Sequence, residues 1–168
     1  MIWLGVAAAA ASLTCGCKTG YSWRSDVPHE ARTVSVPTFR NETSITELGA
    51  VMARQVAREF QREGTFRLCL SDDAALEVQG VVQKTGSESS AYDRRSGLRS
   101  TTHDFTSTVL VSVVDRRTGK VVIDNRPYVA RATFTAGQDL TTARRDASGR
   151  LAQDLARQVV DDVLNLKW

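Results

Sequence analysis

The chain has 168 residues, 42% of them hydrophobic and 24% charged, with a formal net charge of +3. That length fits one domain plus a short leader, with enough core to fold without disulfide or metal staples. The composition excludes a polytopic membrane protein, a collagen-like fibre and a wholly disordered chain, and the mild basic excess speaks against a nucleic-acid binder.

Residues 1–16 carry no charged side chain, and Ile2 to Val6 lead into an alanine run. The stretch is too short to span a bilayer and matches the apolar core of a signal peptide. Ser12-Leu13-Thr14-Cys15-Gly16-Cys17 is similar to a bacterial lipoprotein cleavage site, where a cysteine becomes the acylated first residue. Gly16 favours Cys17 as that residue, because cleavage needs a small neighbour; Leu13 favours Cys15. A metal-binding reading of Cys-x-Cys lacks the further Cys and His residues such a site needs. Cys69 lies in an apolar run and reads as a small buried hydrophobe.

Residues 17–31 are polar and read as a tether from lipid to domain. Arg32 to Phe39 alternates and predicts a strand, with Val34 and Val36 on one face and Pro37 near its end. Ser44-Ile45-Thr46-Glu47 has the spacing of a capping box, predicting the start of a helix. Leu48, Val51, Met52, Val56 and Phe60 form its apolar stripe; Arg54, Arg58 and Arg62 form a solvated row, and Gly64 ends it. Phe66–Leu70 and Leu76–Gln83 follow as strands, separated by a turn at Ser71-Asp72-Asp73.

Residues 85–102, rich in Ser, Gly, Arg and Thr, read as a long hairpin connection. Phe105 to Val113 alternates as the next strand, and Asp115–Lys120 is a tight turn. The return strand begins at Val121 and meets a potential break at Asn125-Arg126-Pro127 before Tyr128, Ala130, Ala132 and Phe134. Leu151, Leu155, Val159, Val163 and Leu166 mark a last helix, which starts as early as 139–142 and is weakened by Gly149. The expected fold is α+β: a two-layer sandwich, a mostly antiparallel sheet of about four strands with two helices side by side on one face, in the order β-α-β-β-β-α.

Little in the chain points to catalysis. His29 falls in the tether. His103 and Asp104 are neighbours on a strand, so their side chains point to opposite faces, which favours a solvated pair over a catalytic dyad. Asp72-Asp73 fits a hydrogen-bonded turn better than a metal site. Nucleophile elbow, zinc-helix and phosphate-loop motifs are absent. These features predict no enzyme activity and no cofactor.

The basic residues are mostly arginines, the better bidentate partners for phosphate and carboxylate. Arg94, Arg95 and Arg99 lie in the long connection; Arg116, Arg117 and Lys120 surround the tight turn. If the two loops project from one end of the sheet, they form a patch for a phosphorylated or acidic ligand. If not, they are ordinary solvated loop charge.

The order of parts resembles one family. A candidate lipidated cysteine is followed by Gly20-Tyr21. Thr33-Val34-Ser35-Val36-Pro37-Thr38-Phe39-Arg40-Asn41-Glu42-Thr43 then leads into the amphipathic helix, and Ala132-Thr133-Phe134 precedes Asp139-Leu140 and the last helix. From Cys15 onward this resembles the LptE family of lipopolysaccharide-assembly lipoproteins. The resemblance implies a signal peptide over 1–16, a lipid-anchored tether over 17–31 and an LptE-like domain over 32–168. It implies a non-enzymatic chain anchored at the periplasmic face of the outer membrane. Such a chain plugs the barrel protein LptD and helps insert lipopolysaccharide into the outer leaflet. The six basic residues named above would then meet lipopolysaccharide phosphates or the barrel lumen. A Val-Pro-x-Phe-x-Asn strand before a helix also resembles CsgG-like secretion lipoproteins, which assemble into a ring of identical subunits.

Overall fold

The computed structural model describes residues 27–69, 73–93, 99–135 and 140–166, with 89–93, 99–101 and 140–141 as backbone alone. After a 3-10 turn at His29–Ala31 the elements are β1 (Thr33–Ser35), β2 (Arg40–Asn41), α1 (Leu48–Glu63), β3 (Arg67–Leu68), β4 (Leu76–Asp93), β5 (Arg99–Asp115), β6 (Lys120–Thr135) and α2 (Leu140–Leu164). One sheet runs β3-β1-β4-β5-β6, with β2 also on β4. Pairing is parallel among β1, β2, β3 and β4, and antiparallel through β4, β5 and β6. The α+β class is as expected, but the sheet has six strands, not about four.

The extra strands have local causes. Pro37 offers no backbone N–H to a ladder, and Phe39 turns inward to the core. The expected strand at 32–39 therefore shortens to β1, and β2 forms just beyond Phe39. The expected connection at 85–102 is largely strand: β4 and β5 stay in register from Leu76↔Asp115 to Asp93↔Arg99, through bulges near Gln83 and Ser89. At 125–127 the strand bulges rather than ends. Asn125 takes a positive φ of 40°, and its N–H donates to Ser112 Oγ at 3.0 Å.

Both helices pack on the same side of the sheet and against each other, α1 over β4 and its neighbours, α2 over β5 and β6. Leu48, Met52, Val56 and Phe60 of α1 are buried, as the helical spacing predicts; Val51 sits at the margin. On α2 the buried stripe is Ala147, Leu151, Leu155, Val159 and Val163, with Ala152 and Ala156 letting α1 approach closely. The sheet presents Val78, Val82, Val109, Val111, Val113, Ala130 and Phe134 to them. Gly64 ends α1 in the left-handed conformation at φ 84°, its N–H donating to Phe60 O. Arg54 and Arg58 are exposed as expected.

The start of α1 differs from its expected form. The helix begins at Leu48, and the residue before it, Glu47, makes no side-chain cap. Asn41 does the holding. Its Nδ2 donates to Ile45 O at 2.7 Å and Thr46 O at 3.2 Å. Its Oδ1 accepts from Thr43 N at 3.0 Å and Thr43 Oγ1 at 2.8 Å. Ser44 is exposed and closes no capping box.

Candidate interaction surfaces

Cys15, Cys17, Arg94 and Arg95 lie outside the described residues. Arg99 opens β5 opposite Asp93, whereas Arg116, Arg117 and Lys120 surround the turn after the far end of β5. A 17-residue strand separates those ends by roughly 50 Å at about 3.3 Å per residue. Arg99 and the tight turn therefore do not share a patch.

The turn itself holds its cations with carboxylates. Arg116 pairs with Glu77 of β4. Arg117 reaches Glu30 at 3.1 Å and Asp115 at 3.4 Å. Asp115 accepts from the Arg117 backbone N–H at 2.9 Å. Burial alone would raise the Asp115 pKa, but bonds from Arg117 and the Thr118 hydroxyl outweigh it and hold the carboxyl below its ordinary value. Gly119 completes the turn at φ 69°. The cluster is close to neutral, and Lys120 projects from it exposed. To bind a further anion, Arg116 and Arg117 would have to share or exchange the carboxylates they already hold.

The candidates for chemistry are dispersed. His103 stacks on Phe134 at 5.2 Å, on the helix side, while Asp104 accepts from Thr133 Oγ1 at 3.1 Å on the open face. His29 and Asp73 are exposed, and Asp72 lies outside the described residues. Among the described residues no group of three potential metal ligands gathers, and no helix is long and apolar enough to cross a membrane. Cys69 is half-buried at the end of β3 rather than buried.

One feature escaped the sequence reading. The entry and first turn of α1 and the second and third turns of α2 enclose an open cleft of about 570 Å³, with Ile45, Leu48 and Val51 along one wall and Arg144, Arg145 and Ser148 along the other. Its signal in the sequence is an arginine pair near a helix N-terminus, the end that repels cations.

A family model described as lipopolysaccharide-assembly, LptE, matches residues 31–163. No curated protein matches the sequence significantly. Among solved structures, the fold is similar to protein XCC0632 from Xanthomonas campestris, at 12% identity and TM-score 0.55 over 82% of this chain and 88% of that one. It is similar to hypothetical protein CT253 from Chlamydia trachomatis, at 15% identity and TM-score 0.53 over 80% and 96%. It is also similar to a presumptive lipoprotein from Caulobacter crescentus CB15, at 16% identity and TM-score 0.51 over 76% and 86%. At such identities the likeness to these structures is one of fold.

Proposed function

Since the chain belongs to the LptE family of lipopolysaccharide-assembly lipoproteins, we propose that it is the lipid-anchored plug of an LptD-like outer-membrane barrel. In this reading Cys17 (or Cys15) carries the lipid on the periplasmic side, and the sandwich assists insertion of lipopolysaccharide into the outer leaflet. The observation that carries it is the extent of the family match, which takes in all six strands and nearly all of α2. The scattered histidines and carboxylates support binding over catalysis.

The basic residues divide between two roles. Arg99, at the distal end of the β4–β5 hairpin, and Arg94 and Arg95, which precede it in the sequence, are proposed to meet lipid phosphates through charge-assisted hydrogen bonds. Arg116 and Arg117, already paired with carboxylates, and the exposed Lys120 are proposed to face the barrel wall, where pairs can be exchanged.

The test is extraction of the chain from outer membranes in mild detergent, followed by mass measurement of the complex. One copy with one barrel polypeptide is expected. A ring of identical copies without a barrel overturns the reading in favour of a CsgG-like assembly. Replacing Arg94, Arg95 and Arg99 with alanine is expected to weaken lipopolysaccharide binding; undiminished binding removes them from that role.

A further inference from the structure

The two long edges of the sheet are treated differently. The edge at β6 is closed by side chains of α2 spaced four residues apart. Asp154 Oδ2 accepts from the Arg131 backbone N–H at 2.9 Å. Gln158 Nε2 donates to Val129 O at 3.3 Å, and Arg150 Nη2 donates to Thr133 O at 3.0 Å. Gln158 also braces Asp154 at 3.0 Å. The helix thus occupies backbone groups that a further strand would otherwise take.

The edge at β4 has no such cover. β1 and β2 occupy it only as far as Val82, whose C=O accepts from Glu42 N–H at 2.9 Å. Among the described residues, nothing pairs with that side of β4 farther along. Bulges near Gln83 and Ser89 bracket a regular stretch from Lys84 to Ser89, about 17 Å long.

The register identifies the unoccupied groups. Val129, Arg131 and Thr133 turn their backbone toward α2, away from β5. Their partners Thr108, Thr106 and Asp104 must then turn toward β4. These bond to Lys84, Gly86 and Glu88. The alternate residues Thr85, Ser87 and Ser89 therefore direct their N–H and C=O groups outward. Short side chains at Thr85, Gly86 and Ser87 let another backbone approach.

We propose that this stretch of β4, Lys84 to Ser89, is where an extended segment of the barrel partner adds to the sheet as a further strand. The inference rests on the plug reading: a single copy enclosed in a lumen meets the backbone of the barrel chain. Lys84 and Glu88 on the open face set a charge preference, favouring a segment with opposite charges in register. With β6 closed by α2, copies of this chain cannot add head to tail through β4 and β6.

Hydrogen exchange on the full lipidated chain, free and in the purified barrel complex, tests the proposal. The amides of Thr85, Ser87 and Ser89 are expected to exchange quickly in the free chain and at least about 100-fold more slowly in the complex. Those of Lys84, Gly86 and Glu88 are expected to change little. Ser87→Pro removes an outward N–H without touching the β5 ladder. It is expected to lower affinity for the barrel by roughly tenfold, the worth of about one hydrogen bond, while α2 keeps its protection. If the barrel co-purifies and the three amides stay fast, the strand site falls and the plug reading stands. If they are already slow in the free chain, through its own tether or a second copy, the strand site also falls. If no barrel polypeptide accompanies the chain, both readings fall.

Discussion

The ring of Phe39 lies directly on the Cα of Gly80, so that a Cβ at residue 80 would come within 2.5 Å of it. The carbonyl of Phe39 presses as closely on Gly49 of α1, where a side chain would strike backbone. Phe39 is thus gripped between helix and sheet, 3% exposed. Gly80→Ala and Gly49→Ala are each expected to destabilise the fold by about 1–3 kcal/mol through overpacking, with Gly49→Ala the costlier because a carbonyl cannot turn aside. Urea unfolding of the purified variants checks the order.

Asn41 and Ser44 offer a paired test of how α1 begins. Asn41→Ala removes the donor and acceptor that fold residues 41–46 under the helix, and is expected to cost about 1–2 kcal/mol. Ser44→Ala removes an exposed hydroxyl outside any cap and is expected to change stability by less than about 0.5 kcal/mol. Equal costs would restore the capping box read from the sequence.

The contrast shows where sequence reading succeeds. The stripes of α1 and α2 were legible because each helix has one buried face, and burial imposes the period. The stop at Gly64 was legible because left-handed backbone selects glycine. The distal arms of β4 and β5 were not legible. Lys84, Gly86, Ser87 and Glu88 are all exposed, so no buried face forces an alternation; the strand exists there through its ladder to β5. The carboxylate partners of the tight-turn arginines were not legible for a similar reason. Glu30 lies 87 positions from Arg117, and Glu77 lies 39 from Arg116, and only the folded topology brings them together.

Gly149 is a glycine without a structural demand. It sits in the interior of α2, and a Cβ there would meet nothing within 4 Å. Gly149→Ala is expected to stabilise the protein by about 1 kcal/mol, the helix-propensity difference between the two residues. A rise in the midpoint of thermal unfolding is the measurement; a fall would mean that α2 needs the kink or contact a glycine permits.

Asp154 and Gln158 are expected to matter more for solubility than for stability. Asp154→Ala with Gln158→Ala frees the Arg131 N–H and the Val129 carbonyl on a strand that also exposes the Val129 side chain. Light scattering is expected to detect concentration-dependent association of the double variant, with its circular dichroism unchanged. A folded double variant that stays monomeric would show that the bulge and Pro127 protect the edge without help from α2.

Tyr128 ties β6 to the end of α2 and carries a pH signature. Its hydroxyl donates to Asp162 Oδ2 at 2.8 Å, and Arg126 reaches the same oxygen at 3.1 Å. Burial first, then the Asp162 carboxylate, raise the phenol pKa well above the ordinary value, against a smaller opposing pull from Arg126. A phenol whose pKa rises on folding holds its proton more tightly in the native state. Its contribution is full below the unfolded value of about 10 and is lost as pH climbs through the folded one. Absorbance titration is expected to show Tyr128 as the late-ionising member of the three tyrosines, ionising only as the fold opens. Tyr128→Phe is expected to delete that late step and to cost about 1 kcal/mol at neutral pH. An unchanged titration curve would mean that the phenol is open to solvent and that Asp162 is held by Arg126 alone.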